Sequence, residues 1–442
     1  MAEELLLLHD AKLSSHLTKS LLAVAFLSSF GSSMLYGFNL AVVNSPAQYI
    51  KAFYNETLRE EYNWVPDDKH LTVLYSLTVS IFAIGGMIGA LLVGKLVTKY
   101  GRKGTLVKST VLVFLGGALM GLSRAWREPA MVIIGRFIVG VHSGISLSVV
   151  PMYLGEIAPK NLRGFLGLIP SIHICLGVFI AQVLGLQELL GKEEHWPLLM
   201  SLIVFPTLVQ LVFLPWFPES PRYLLIEKGN VHATVAALKR FRARGNLQLE
   251  VEEMQEEQRS LSSIQTLSVC SLLMDRCVRW QVITVIVVNV GMQLSGIDAI
   301  WFYTNDIFRN AGIPDPNIQY TTVGTGAIEV ISGTLGCFTI ERVGRRPLMI
   351  GGYLFMALCC AGITMSVLFQ LATGPYCYLI FCSICLGVAV YTIFIIPETK
   401  NKTFLEISTM FASKNDILEE ELASDEHLKM SLMNGYGTGD HY

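Results

Sequence analysis

Ten separate runs of about 20 apolar residues divide this chain, and they constrain its fold more than any other feature. The runs cover 21–43, 71–94, 105–123, 130–151, 164–186, 197–216, 281–303, 321–340, 347–370 and 375–396. A helix of about 20 residues crosses the bilayer core, where each backbone N–H and C=O needs a partner from the chain itself. We therefore predict an all-α, polytopic membrane protein. Its composition agrees, because 52% of the 442 residues are hydrophobic and only 15% are charged.

Basic residues are concentrated in alternate loops between the predicted spans. The loop residues concerned are Lys95, Lys99, Arg102, Lys103, Lys108, Lys160, Arg163, Arg342, Arg345 and Arg346. By the positive-inside rule these loops, and with them both chain termini, are predicted to be cytoplasmic. The net charge of −2 gives no reason to expect a nucleic-acid partner, whereas the lipid bilayer is an expected one.

One long polar insert separates six predicted spans from four. It occupies 217–279 and has apolar residues at helical spacing among its charges, which predicts short cytoplasmic helices. The expected organisation is a cytoplasmic N-terminus (1–20), a six-helix bundle (21–216), this helical linker, a second bundle of four spans (280–396) and a cytoplasmic tail (397–442).

The two halves share two sequence signatures. The loop after span 2, "KLVTKYGRKGTL", corresponds to "FTIERVGRRPLM" after span 8, and "FPESPR" after span 6 corresponds to "IPETKNK" after the last span. Spans 7, 8 and 9 then match spans 1, 2 and 3, and the last span matches span 6. Spans 4 and 5 have no counterpart, so we predict that two spans are missing at Thr373–Gly374.

Six motifs along the chain resemble one known family. "GRKGTLV", "PMYLGEIAPKNLRG", "PESPRYLL", "QLSGIDAIWFY", "ERVGRRPL" and "PETKNKT" are similar to the sugar-porter family of the major facilitator superfamily, and most of all to its class II facilitative hexose transporters, the fructose- and urate-type members. The resemblance implies a plasma-membrane uniporter that works by alternating access, with a central hexose site between two bundles. It implies no cofactor and no metal. The sequence has no phosphate-binding loop and no nucleophile–base arrangement, so we do not expect an enzyme.

A sugar site needs neutral hydrogen-bonding groups at mid-membrane. The span 7 sequence "MQLSGIDAIWF" places Gln293 on the same helical face as Gly296 and Ile300, and a carboxamide both donates and accepts. By the resemblance, Gln293 matches a sugar-binding glutamine of the family. Asp298 and Glu329 fall where relatives have asparagines, and Ser171 falls where they have a glutamine.

Two of these candidates carry a carboxyl group inside a span. Such a group is costly in lipid and by default faces a cavity or a partner. Asp298 and Glu329 are therefore expected to be protonated, paired or in contact with substrate, and an ionised form of either disfavours an anionic substrate such as urate. The resemblance also links Ile300 to fructose-handling relatives.

Charged residues of the cytoplasmic loops match the family's inner-gate network. They are Arg102, Glu156, Arg163, Glu219 and Arg222 in the first half, with Glu341 and Arg345 in the second. Ion pairs at bundle ends can hold one conformation and break in another. On the opposite side, Asn55-Glu56-Thr57 is a glycosylation sequon in the first outer loop.

Three functions remain open at this stage. The first is facilitative hexose transport. The second is proton-coupled sugar transport, which is disfavoured because proton-coupled relatives carry an aspartate in span 1 and this span 1 has no carboxylate. The third is a non-transporting or regulatory isoform, which the missing spans favour. The sequence sets neither the preferred hexose nor an oligomeric state.

Overall fold

The computed structural model describes residues 17–159, 162–242, 247–262, 276–296, 301, 304–305, 307–309, 312–368, 377–399 and 410. Every regular element in this part of the chain is a helix. Contacts between residues group the chain into two units. Unit 1 comprises Met1–Ser262 with Trp301–Glu341, and unit 2 comprises Ser263–Ile300 with Arg342–Tyr442.

Within the described residues, six helices are long and apolar enough to span a membrane, and all six lie in unit 1. They are α1 (Lys19–Ala41), α3 (Asp68–Tyr100), α4 (Arg102–Leu122), α5 (Pro129–Ile157), α6 (Arg163–Leu184) and α7 (Trp196–Trp216). A shorter amphipathic helix, α2 (Ala47–Glu60), joins α1 to α3. Several helices run past the apolar stretches from which they were predicted. α3, for example, begins where the side chain of Asp67 accepts a hydrogen bond from the N–H of Asp68 and ends at Gly101, whose φ is +80°.

The predicted linker contains two further helices of unit 1. α8 (Val231–Phe241) and α9 (Leu247–Ser262) pack through a small cluster that includes Leu238, Val251 and Met254. Arg242, at the end of α8, donates to the carbonyl of Ile157 at 2.6 Å. The linker is therefore held against the end of α5.

Four helices follow the linker in the described part of the chain. They are α10 (Arg276–Leu294), α11 (Asp315–Val343), α12 (Arg345–Leu368) and α13 (Cys377–Ile395). In unit 2, α12 and α13 bury a cluster containing Tyr353, Ala357 and Val388. α10 joins it because the Tyr353 hydroxyl donates to the carbonyl of Val288 at 3.1 Å. The predicted junction at Thr373–Gly374 lies outside the described residues.

Glycines bring α3 and α5 into backbone contact. A Cβ added to Gly89 would lie 2.1 Å from the carbonyl oxygen of Val141, and one added to Gly140 would lie 2.3 Å from that of Phe82. The glycines recur four residues apart on both helices (Gly85 and Gly89; Gly140 and Gly144), a pattern that lets membrane helices approach closely. This contact forms the centre of unit 1.

A buried arginine ties the same region to α1. Arg136 of α5 is 1% exposed and donates to the carbonyl of Asn39 at 2.8 Å and to that of Thr78 at 3.3 Å. Its guanidinium also lies 4.6 Å from the centre of the Phe82 ring. Carbonyl dipoles and an aromatic face thus stabilise a positive charge inside the bundle.

Candidate functional site

Arg102 is the centre of the predicted cytoplasmic charge cluster. Its guanidinium forms an ion pair with Glu156 at 2.9 Å and another with Glu227 at 2.5 Å. It also lies 5.2 Å from the centre of the Tyr223 ring. The structure therefore brings together Arg102 and Glu156, two of the predicted gate residues, and adds Glu227, which the sequence analysis did not select.

Glu219 accepts several hydrogen bonds from the backbone. Its carboxylate accepts hydrogen bonds from the N–H groups of Arg102 (3.0 Å), Lys103 (2.8 Å), Gly104 (3.0 Å) and Ser220 (2.9 Å). The first N–H groups of a helix have no partner within the helix, and the helix dipole favours a negative charge there. Glu219 thus caps the start of α4 after the turn at Gly101.

The same contact recurs in unit 2. Glu398 accepts hydrogen bonds from the N–H groups of Arg345 (3.1 Å) and Arg346 (3.0 Å), after a turn at Gly344 with φ of +102°. We call each of these arrangements, Glu219 on Arg102–Gly104 and Glu398 on Arg345–Arg346, a carboxylate clasp. The sequence analysis matched the two loops but missed Glu398 as a functional residue. Its position in "IPET", equivalent to that of Glu219 in "FPES", was the available signal.

The two clasps close chain segments of different length. Glu219 lies 117 residues after Arg102, whereas Glu398 lies only 53 residues after Arg345. The second segment is therefore 64 residues shorter than the first.

The remaining predicted gate residues have less informative surroundings. Arg163 donates to the carbonyl of Gly155 at 3.1 Å, which joins the start of α6 to the end of α5. Arg222 also has an interaction partner. The side chain of Glu341 lies outside the described part of the structure.

Loss of the Glu219 carboxylate should destabilise unit 1. In Glu219→Gln one oxygen becomes an NH₂ group that faces N–H donors, so we expect a cost of roughly 1.5–3 kcal/mol, the range for hydrogen bonds to a charged group. The melting temperature of the purified protein, with size-exclusion chromatography as the readout of unfolding, measures this loss of stability. Glu193→Gln is the matched control, because Glu193 is exposed and pairs with exposed Arg124 only at 3.4 Å. Equal melting temperatures for the two variants would contradict the capping role.

Inside unit 1, Glu329 of α11 lies against α6. Its carboxyl hydrogen-bonds to the thiol of Cys175, while Oε2 is buried without a hydrogen-bond partner. Ser171 lies one helical turn before Cys175 and is exposed. Glu329 therefore has one carboxyl oxygen that is buried and lacks a hydrogen-bond partner. Such an atom is expected where a polar group binds a ligand or a proton.

A second polar contact of α6 and α11 lies further along both helices. Gln182 approaches α11 so closely that a Cβ on Gly326 would lie 2.1 Å from its Oε1 atom. That oxygen is buried and has no hydrogen-bond partner. Gln182 was not selected from the sequence, because nothing in its local motif distinguishes it from a residue that faces lipid.

Gln293 lies on α10 in unit 2 and is exposed. Asn289, one turn earlier, is also exposed, and the sequence analysis missed this second carboxamide. The opposite side of α10 is packed, since the Gly291 backbone touches Val388 and the Thr284 hydroxyl lies 3.2 Å from that of Tyr391. Asp298 lies outside the described residues.

The described helices have a fold of the major facilitator type. The structure of the proton:xylose symporter XylE bound to 6-bromo-6-deoxy-D-glucose superposes with a TM-score of 0.75, covering 90% of this chain and 100% of that one at 19% sequence identity. The likeness establishes the fold and confirms the predicted fold class.

The chain belongs to the sugar transporter family. The model of this family, described as sugar (and other) transporter, matches residues 24–374. The human solute carrier family 2, facilitated glucose transporter member 9 is 40% identical over 484 aligned positions, which cover 94% of this chain and 90% of that protein. Horse facilitated glucose transporter member 5 is 37% identical over 483 positions, covering 94% and 96%. These matches confirm the resemblance and place the chain among transporters rather than enzymes.

Proposed function

We propose that this chain is built for facilitative transport of a hexose, fructose or glucose, across the plasma membrane. The observation that carries the proposal is its identity of about 40% with proteins named facilitated glucose transporters over nearly their whole length. The exposed carboxamide of Gln293 and the partly unsatisfied carboxyl of Glu329 supply groups suited to sugar hydroxyls. Ser171 and Asp298 are further substrate-binding residues in this proposal.

Transport by uniport, rather than with a proton, follows from the composition of α1. Its 23 residues contain no carboxylate, so this helix has no group that could bind and release a proton at neutral pH. Glu329 of α11, whose Oε2 atom is buried without a hydrogen-bond partner, is a candidate for proton coupling in unit 1. Hexose flux that is insensitive to an imposed proton gradient would support uniport, and flux that follows the gradient would favour the symport alternative.

The alternative of a non-transporting or regulatory isoform is favoured by the length of the second half. The alignment with the human relative has 484 positions, whereas 94% of this chain is about 415 residues, so about 70 positions face a gap here. The 64-residue difference between the clasped segments agrees with that figure. The family match also ends at residue 374, beside the predicted junction. Two spans with their loops have this length, and we propose that the 442-residue chain alone transports hexose poorly.

We propose that the ion pairs of Arg102 with Glu156 and with Glu227 act as an inner gate. These pairs can break when the cytoplasmic ends of the helices that carry them move apart. The clasps differ from these pairs, because each clasp carboxylate accepts from several backbone N–H groups at the start of a helix. We therefore assign the switching role to Arg102 and its two partners, and a static role to Glu219.

The proposed topology places Asn55 outside and both termini in the cytoplasm. In surface-purified protein a glycosidase should sharpen and shift the band, and Asn55→Gln should abolish that shift. Epitope tags at both ends should be inaccessible to antibody in intact cells and accessible after permeabilisation. An unshifted wild-type band or surface labelling of either tag would contradict the topology.

A further inference from the structure

A cavity of about 560 Å³ lies within unit 1, apart from Gln293 and Ser171. Its volume falls in the range of about 300–1,000 Å³ that is usual for small-molecule sites. It is lined by residues at one end of unit 1: the turn between α1 and α2, the end of α6 with the loop that follows, Asn305 and Arg309, and the beginning of α11. A hydrogen bond from Tyr320 to Glu188 joins two of these segments at 2.5 Å.

The lining is dominated by carboxamides. Six side chains of this type contribute to it: Asn44, Gln48, Gln182, Gln187, Asn305 and Gln319. A carboxamide has two donor hydrogens and an acceptor oxygen, and a sugar hydroxyl likewise donates and accepts. No carboxylate is among the described residues that line the cavity. This lining matches a neutral, polyhydroxylated molecule.

Several of these groups have hydrogen-bonding capacity left over. The Oε1 atom of Gln182 is buried with no partner, which is an uncommon state for a polar atom in a native protein. Asn305 accepts a hydrogen bond from Thr322 through Oδ1 at 3.2 Å, which orients its carboxamide. An occupant with several hydroxyls would satisfy such groups together.

The two cations of the lining are already engaged. The Lys51 ammonium lies 5.1 Å from the centre of the Tyr75 ring, and the Tyr75 hydroxyl is fixed by donation to the carbonyl of Val43 at 3.0 Å. Arg309 also has an interaction partner. An anionic ligand would compete with these contacts, whereas a neutral sugar leaves them in place.

We propose that this cavity is a second binding site for a neutral monosaccharide, on the side of the membrane that carries Asn55. The side of the membrane is assigned from Lys51, which lines both this cavity and a neighbouring pocket that Asn55 also lines. The choice of a hexose rests on the proposed function, but binding here does not require transport. All the lining residues lie in unit 1, so the site is complete in a chain whose second half is short.

The test uses the purified full-length chain in lipid nanodiscs, with D-fructose and D-glucose binding followed by saturation-transfer NMR. Gln319→Ala and Gln48→Ala, on two different segments, should each weaken binding roughly three- to tenfold, as expected for the loss of one hydrogen bond. Asn317→Ala is the matched control, because Asn317 is exposed on the same helix and does not line the cavity. Unchanged melting temperatures show that the variants are folded.

Gln293→Ala separates this site from the proposed transport site. Sugar binding that survives Gln293→Ala and falls in Gln319→Ala supports the cavity. Binding lost in Gln293→Ala and unaltered in Gln319→Ala and Gln48→Ala overturns it while leaving the proposed function in place. Binding of urate in preference to both hexoses, with the same dependence on Gln319, would overturn the assignment to a neutral ligand.

Discussion

Hexose uptake by the 442-residue chain should stay near background in cells that lack their own hexose carriers, and insertion of two spans at Thr373–Gly374 should restore it. The insert is the pair of spans 10 and 11 of a class II relative, with their connecting loops. Restored uptake should be saturable for fructose or glucose and independent of a proton gradient. Radiolabelled uptake, normalised to protein at the cell surface, measures the change.

The physical reason is the cost of polar groups in lipid. Gln293 is exposed on α10, and a carboxamide that faces hydrocarbon loses the hydrogen bonds that water would make with it. A carrier needs helices that exclude lipid from its polar site and open it to water on alternate sides. The predicted second half, with four spans rather than six, would have fewer helices with which to do so.

The controls for this experiment are a substitution and a different insert. Gln293→Ala in the lengthened chain removes one hydroxyl partner and should weaken apparent affinity about fivefold, for a loss of about 1 kcal/mol. An insert of equal length made from an unrelated pair of apolar helices should restore surface expression without flux. Robust saturable uptake by the 442-residue chain alone would refute the idea that the absent helices are essential.

Gly89→Ala should prevent unit 1 from packing normally, although it adds a single methyl group. The new Cβ would lie 2.1 Å from the carbonyl oxygen of Val141, and this neighbour is backbone, which cannot rotate away. Overpacking of a tight core costs typically about 1–3 kcal/mol, and more where the neighbour cannot move. We expect a large fall in the yield of monodisperse protein and a lower melting temperature of the remainder, both measured by fluorescence-detected size-exclusion chromatography.

Gly94→Ala is the matched control on the same helix. A Cβ at Gly94 meets no atom within 4 Å, so the substitution should be neutral or slightly stabilising, because alanine favours a helix over glycine by about 1 kcal/mol. The two variants have the same chemistry and differ only in what faces them. Similar yields and melting temperatures would show that α3 and α5 do not pack through these glycines.

The apolar runs predicted the existence of the helices well, because the need to satisfy backbone groups in lipid leaves few alternatives. They predicted the ends less well. α3 extends from Asp68 to Tyr100, whereas its apolar run covers 71–94. Capping at Asp67 and the left-handed turn at Gly101 decide where this helix starts and stops, and hydrophobicity does not report on either.

The candidate site was less accessible to sequence reasoning for a different reason. The family resemblance placed Arg102 and Glu156 in one network of charges, and the structure brings their side chains to 2.9 Å. The resemblance placed Glu219 in the same network and missed Glu398. Both carboxylates accept hydrogen bonds from backbone N–H groups, which every residue but proline has and which the sequence therefore does not mark. The carboxamide cavity was also missed, since its residues are spread from Asn44 to Gln319 and meet only in the folded chain.

The carboxylate clasps also bear on how proteins of this kind can change length. Each clasp links a turn to the residue that follows the last helix of its half, whatever the number of helices between them. A pair of membrane-spanning helices enters and leaves the membrane on the same side. Such a pair can therefore be gained or lost without moving the C-terminal tail to the other side of the membrane. The carboxylate clasp of that half is unchanged by such a gain or loss. Variation in helix number within a clasped half is expected to come in steps of two.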